Sequence, residues 1–223
     1  MKLTALIILS FLLIAISANV SYAQQGTRKV ETLTIPYTAA NADIFKPVHY
    51  DFASKHQTSW ILTIRNNLVY NSDNPDAKVV LRLKEEPESE RYVELAMFGA
   101  PSKTFWIAIA NEEVGYLRTY ENKNAWFEDK EVIVSLAQSE RLSVTNGQRN
   151  VLDRLKVGEF ILGTIEVYGK DSSDAATNTF GGNIEFDIIS GNPLENPIFI
   201  MPAVLAVVAG GVVATLLFVK KRT

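Results

Sequence analysis

Between Glu31 and Ser190, apolar residues recur at every second position in nine short runs, and no long 3.6-residue period competes with them. Successive side chains on an extended chain point to opposite faces, so this pattern buries one face and wets the other. Leu33, Ile35 and Tyr37 alternate in "ETLTIPY", Trp60, Leu62 and Ile64 in "SWILTIR", and Val79, Leu81 and Leu83 in "KVVLRLK". The same alternation runs through "RYVELAMF", "TFWIAIA", "VGYLRTY", "EVIVSLA", "EFILGTIEVYG" and "NIEFDIIS". Turn-forming stretches such as "NSDNPD", "EEPESE" and "GAPSK" separate the runs. Short strands at this spacing predict an all-β chain folded as one antiparallel β-sandwich.

The sandwich is expected to be of the immunoglobulin-like or jelly-roll kind. One short helix is expected within it, in "NVLDRLKVGE". There Asn150 can cap, Gly158 can stop the turn, and Val151, Leu152 and Leu155 would face the core. No repeat and no second domain is visible.

The two ends predict how the domain is carried. Residues 1–23 read as a cleaved leader: Lys2 is followed by an apolar run from Leu3 to Ile16, and Ser21-Tyr22-Ala23 has the form of a cleavage site. From Ile198 to Val219 there are 22 residues without a charge, and Lys220, Lys221 and Arg222 follow at once. A helix of that length reaches about 33 Å, enough for a ~30 Å hydrocarbon layer, and the basic cluster marks the cytoplasmic side. The expected organisation is therefore a leader (1–23), an extracytoplasmic sandwich (24–190), a linker (191–197), one transmembrane helix (198–219) and a cytoplasmic tail (220–223). The tail reads as a plain anchor. A dilysine-type retrieval signal and a sortase-type sorting signal are its alternatives, and the Leu-Pro-x-Thr-Gly of the latter is missing.

Charge and cysteine content narrow the function classes. Residues 24–197 hold 18 basic against all 25 acidic residues, a net charge of −7. Nucleic-acid binding needs a basic face and is not expected. The chain has no cysteine, so disulfides, Cys-ligated zinc and a thiol nucleophile are all excluded. Without cysteines or an Asn-x-Ser/Thr site, the exported part fits a prokaryotic cell envelope, with the endoplasmic reticulum as the alternative.

Four groups of residues are candidate sites. Trp126 lies in the polar stretch "ENKNAWFEDKE", with Tyr116 and Tyr120 on one face of the run before it. Rings so placed suit a sugar or a protein partner, while the plainer reading folds Trp126 back over the sandwich edge. The oxygen-rich loops with Asp73, Asp76, Asp171 and Asp174 are weak calcium candidates, although the same residues are ordinary turn chemistry. His49 and His56, with Asp51, would suit a metal only if their segment were a loop; strand-edge histidines are the plainer reading. In the expected membrane helix Ala206, Gly210 and Ala214 form a small-residue stripe widened by Gly211, which suits close packing with another helix. Phosphate-loop, zinc-protease and serine-hydrolase motifs are missing, so no cofactor is expected. Paired carboxylates such as Glu85-Glu86 point to opposite faces of a strand.

The main expectation is thus a non-catalytic, membrane-anchored sandwich. It would serve as a subunit of an envelope complex, held by a membrane protein partner or by self-association of its helix. The alternative is a surface adhesion or glycan-binding module. The remote alternative is a hydrolase with two carboxylates facing one cleft of a jelly roll.

Overall fold

The computed structural model describes residues 29–56, 59–112, 114–121, 125–137 and 140–190. The expected leader, linker, membrane helix and tail, with Ala206, Gly210, Gly211 and Ala214, lie outside the described residues. Among the described residues no helix is long and apolar enough to cross a membrane.

Among the described residues fourteen strands follow one another. They are β1 (Lys29–Pro36), β2 (Val48–His56), β3 (Trp60–Asn66), β4 (Val69–Tyr70), β5 (Lys78–Lys84), β6 (Tyr92–Phe98) and β7 (Phe105–Asn111). Then come β8 (Gly115–Glu121), β9 (Val132–Ala137), β10 (Arg141–Thr145), β11 (Asn150–Lys156), β12 (Leu162–Tyr168), β13 (Thr179–Gly181) and β14 (Asn183–Ser190). Twelve of them form two six-stranded sheets, ordered β1-β14-β3-β9-β10-β11 and β2-β12-β5-β6-β7-β8, and β13 pairs with β4 as a small ribbon. Every ladder within the sheets is antiparallel.

The alternation works as its period demands. Leu62, Ile64, Val134 and Phe186 of the first sheet face Leu81, Leu83, Leu95 and Ile107 of the second, all in one buried cluster. Trp60 and Phe105 are in that core as well. The sandwich expected from the sequence is therefore present, without cysteines, and its stability rests on packing between the two sheets.

The expected helix at 150–158 is instead the edge strand β11. Its register with β10 shifts twice: Leu142 pairs Leu155 and Val144 pairs Leu152, so two steps on β10 meet three on β11. A bulge of this kind brings apolar residues three apart onto one face, and that spacing mimics a helical period. Arg154, at φ 51°, sits in the left-handed region within the bulged stretch.

Candidate functional site

The sequence-predicted residues are only partly brought together. Trp126 is 1% exposed. Its indole N–H donates to the Phe98 carbonyl at 2.7 Å, and Tyr70 packs against its ring at 5.9 Å. The segment after residue 124 turns inward because Ala125 N–H donates to Lys103 and the Asn146 amide donates to Ala125. Trp126 is thus a core plug, and as a ligand-stacking ring it is corrected. Tyr116, 63% exposed, stays available on β8, and Tyr120 is paired through its backbone with Trp106.

The two histidines also separate. Their segment is a strand, and seven residues apart they take opposite faces. His56 is buried, with Nδ1 2.7 Å from Ser190 Oγ, whereas His49 lies on the outer side beside Glu166. The oxygen-rich loops are laced to each other: Asn71 and Asn74 accept from the Asp73 and Asp76 N–H groups, and their amides donate to Thr177 and Asn178. Asp171 accepts from Lys78 Nζ at 2.8 Å. Among the described residues no three His, Asp or Glu side chains converge as a metal site, Asp174 included.

A different constellation lies on the outer face of the second sheet, where the ladders align residues in transverse rows. The central row reads His49 (β2), Glu166 (β12), Arg82 (β5), Glu94 (β6), Ala108 (β7) and Arg118 (β8). The row on one side reads Asp51, Thr164, Lys84, Tyr92, Ala110 and Tyr116. The row on the other side holds Tyr168, Val80, Ala96, Trp106 and Tyr120. Charge, aromatic rings and small residues thus share one face.

The charges are held by specific partners. Arg82 Nε donates to Glu94 Oε2 at 2.5 Å, and the Tyr168 hydroxyl donates to the same oxygen at 2.9 Å. Lys84 Nζ donates to Glu166 Oε1 at 2.7 Å and also to the Pro87 carbonyl. Arg82 stands between the two carboxylates, with its second contact, to Glu166 Oε2, longer at 3.9 Å. Its guanidinium lies over the rings of Tyr92 and Tyr168, 5.1 and 4.9 Å from their centroids. Glu94 and Glu166 are 6% and 4% exposed, and buried carboxylates persist only when paired in this way. The segment at Ala42 and Ile44 covers the lower part of the face, packing on Val80, Ala96 and Tyr168.

Strand β7 leaves the face low in its middle. Alanines stand at 108 and 110, between Tyr92 and Glu94 on β6 and Tyr116 and Arg118 on β8. Arg118 stacks over the Trp106 indole, its guanidinium carbon 3.3 Å from the ring centroid, and this pair borders the strip. Walls two strand spacings apart stand about 10 Å from backbone to backbone. Ala108 is 1% exposed beneath its neighbours, so the accessible part of the strip lies at Ala110, between Tyr92 and Tyr116.

Burial, with the Glu94 charge adding to it, pushes the Tyr168 phenol well above the ordinary tyrosine range. Tyr70, inside the fold, is raised by burial although its hydrogen bond from Asn66 pulls the other way. A phenol with a raised folded pKa stabilises the fold fully below about pH 10 and loses that contribution as pH climbs further. In an alkaline titration followed by phenolate absorbance, Tyr70 and Tyr168 are expected to ionise well above the ordinary tyrosine range. A single step near pH ~10 in the folded protein would contradict this.

Sequence reasoning missed the row although a signal was there. Arg82, Glu94 and Glu166 each interrupt an otherwise apolar run, an unusual place for a charge.

No family model matches the chain, and no curated protein matches it. Solved structures similar to it include a β-fructofuranosidase from Schwanniomyces occidentalis, with TM-score 0.46 and 11% identity over 73% of this chain. The chain spans 34% of the length of that enzyme. A β-1,3-1,4-glucanase (lichenase) derived from a mouse hindgut metagenome has TM-score 0.43 and 12% identity over 74% of this chain and 80% of its own. Galectin-Va from Xenopus laevis has TM-score 0.36 and 9% identity over 66% of this chain and 98% of its own. At these values the likeness concerns the two-sheet build and assigns no residue a role.

The expectation of a non-catalytic module is corrected at this point. It rested on missing contiguous motifs alone, and their absence excludes no site assembled from separate strands. Carboxylates on distant strands form no contiguous motif, as Glu94 and Glu166 illustrate.

Proposed function

We propose that the outer face of the second sheet binds a glycan. The observation that carries this reading is the fixed Glu94–Arg82 pair beside a low strip walled by Tyr92, Tyr116 and the Trp106–Arg118 stack. Sugar hydroxyls take charge-assisted hydrogen bonds from carboxylates and guanidinium groups, and the apolar faces of sugar rings stack on aromatic rings. Glu94 Oε2 is occupied by Arg82 and Tyr168, which hold the carboxylate in one orientation and leave Oε1 to accept from a ligand. Presentation outside the membrane, by the expected leader and span, belongs to the same reading.

A second reading is hydrolysis of the glycan so held. It is favoured by the two buried carboxylates, Glu94 and Glu166, on either side of Arg82. Two strand spacings separate their backbones by about 10 Å, and side chains leaning toward one guanidinium come closer, toward the ~6.5–9.5 Å of an inverting pair.

The test is a screen of the full-length protein against a library of oligosaccharides, scored for both retention and cleavage. Retention of a defined glycan that is lost in Glu94→Gln supports binding. Cleavage lost in both Glu94→Gln and Glu166→Gln moves the assignment to the second reading. Retention of none, or retention indifferent to Glu94→Gln and Tyr92→Ala, overturns the proposal.

A further inference from the structure

The two sheets end in four edge strands, and three of them are blunted. β11 is bulged against β10 and carries Arg154 and Lys156. β2 follows Pro47, carries Lys55 and has a register shift against β12. β1 runs from Lys29 to Pro36, and its Glu31 side chain accepts the Ala53 N–H of β2 at 2.5 Å, which caps both edges together. Lysines, prolines and bulges are the devices that keep sheet edges from pairing with other chains.

β8 has no lysine, proline or bulge, and its one basic residue, Arg118, leans inward over Trp106. Its ladder with β7 runs without a shift from Phe105 opposite Glu121 to Asn111 opposite Gly115. Its sequence, GYLRTYE, has neither proline nor lysine. Tyr116, Leu117 and Arg118 are exposed in succession, with apolar Leu117 at 37%. Among the described residues no strand pairs with its other side.

We infer that β8 is a self-association edge, where a second copy of this chain adds its own β8 antiparallel about a two-fold axis at Leu117. The sequence of β8 is self-complementary in that register. Residues facing each other across an antiparallel pair lie on one face of the sheet, so the two copies match only at registers of even sum. Centring on Arg118 sets two guanidinium groups directly opposite each other, which costs free energy. Centring on Leu117 closes Leu117 on itself and sets Tyr116 opposite the partner subunit's Arg118, so the two like charges stay apart and each guanidinium keeps its stack on its own Trp106. The outer faces of the two copies then join in one continuous sheet, with Tyr116 and Arg118 at the seam. This inference does not depend on what the face binds.

The absence of cysteine permits a direct test. Opposed residues of an antiparallel pair have Cα atoms about 4.5–5.5 Å apart, inside the ~4.4–6.8 Å window of a disulfide. Leu117→Cys is introduced into the full-length chain. Gly210→Leu is added so that pairing through the expected membrane span does not contribute. Mild oxidation is expected to link more than about half of the Leu117→Cys chains as dimers, since the two thiols face each other. In the same register Thr119 lies about 13 Å from its counterpart, so Thr119→Cys is expected to stay largely unlinked. Sedimentation of the Gly210→Leu protein at micromolar concentration is expected to give a dimer, which Leu117→Glu converts to a monomer with unchanged circular dichroism. A monomer before the Leu117→Glu change, or equal linking at both positions, overturns the inference.

Discussion

Replacing Arg82 with methionine is expected to destabilise the fold by about 3–5 kcal/mol, the range for removing one partner of a buried ion pair. The loss arises at Glu94, which is 6% exposed and would keep only the Tyr168 hydroxyl as a donor. Glu166 suffers less, because Lys84 holds it at 2.7 Å while its contact with Arg82 is 3.9 Å. The direction of the Arg82 shift agrees with this ranking. Burial works against its charge, but Tyr168 and Glu94 outweigh it and raise its pKa above the ordinary value. The double variant Arg82→Met/Glu94→Met is expected to recover most of the loss, since apolar groups of similar size replace a buried pair at little or no cost. Denaturant unfolding of the wild type, the single and the double variant measures both. A double variant as unstable as the single one would mean that the ion pair itself is needed for stability. Recovery would mean that these charges on the sheet face serve something other than the fold.

Trp126→Ala is expected to cost a further about 3–5 kcal/mol, the usual range for a large buried aromatic. For a domain of this size that is a fall in Tm on the order of 10 °C. The side chain is 1% exposed, bonds Phe98 and packs on Tyr70, so its removal opens a cavity and strands a carbonyl. Lys103 Nζ lies 5.9 Å from the ring centroid and would lose its contact as well. A Tm unchanged within a degree or so would show that the ring is not in the core and would return it to the candidate ligand contacts.

The contrast between Trp126 and Glu94 shows what the chain sequence reveals and what it withholds. Strand periodicity is local, so each alternating run is readable on its own, and β1, β3, β5 to β9, β12 and β14 all appear where the runs stand. β2 hides because "VHYDFASKH" mixes polar residues on both faces, with His56 turned inward and Phe52 beside it. β11 hides because its bulge gives it a helical spacing. Trp126 sits in a mostly polar stretch of sequence but among core residues in space, and only the fold supplies the latter. The site is the least legible part. Its central row joins β2, β12, β5 and β6, an order in which the twelfth strand lies between the second and the fifth. Local sequence shows three odd charges. The sheet order alone puts them side by side.

That row is the centre of the account, and the most direct measurement of it is the affinity of a retained glycan for the wild type and for Glu94→Gln. The variant keeps the shape of the side chain and the Tyr168 contact but removes the charge; the broken pair with Arg82 is expected to lower Tm, so unchanged circular dichroism at the assay temperature is what shows that the fold is kept. Losing a charge-assisted hydrogen bond of about 1.5–3 kcal/mol weakens binding by roughly 10- to 150-fold. A loss of that size, with a comparable one in Tyr92→Ala, is the predicted result. Equal affinity in the wild type and both variants would contradict it, and would take ligand recognition off this face of the sheet.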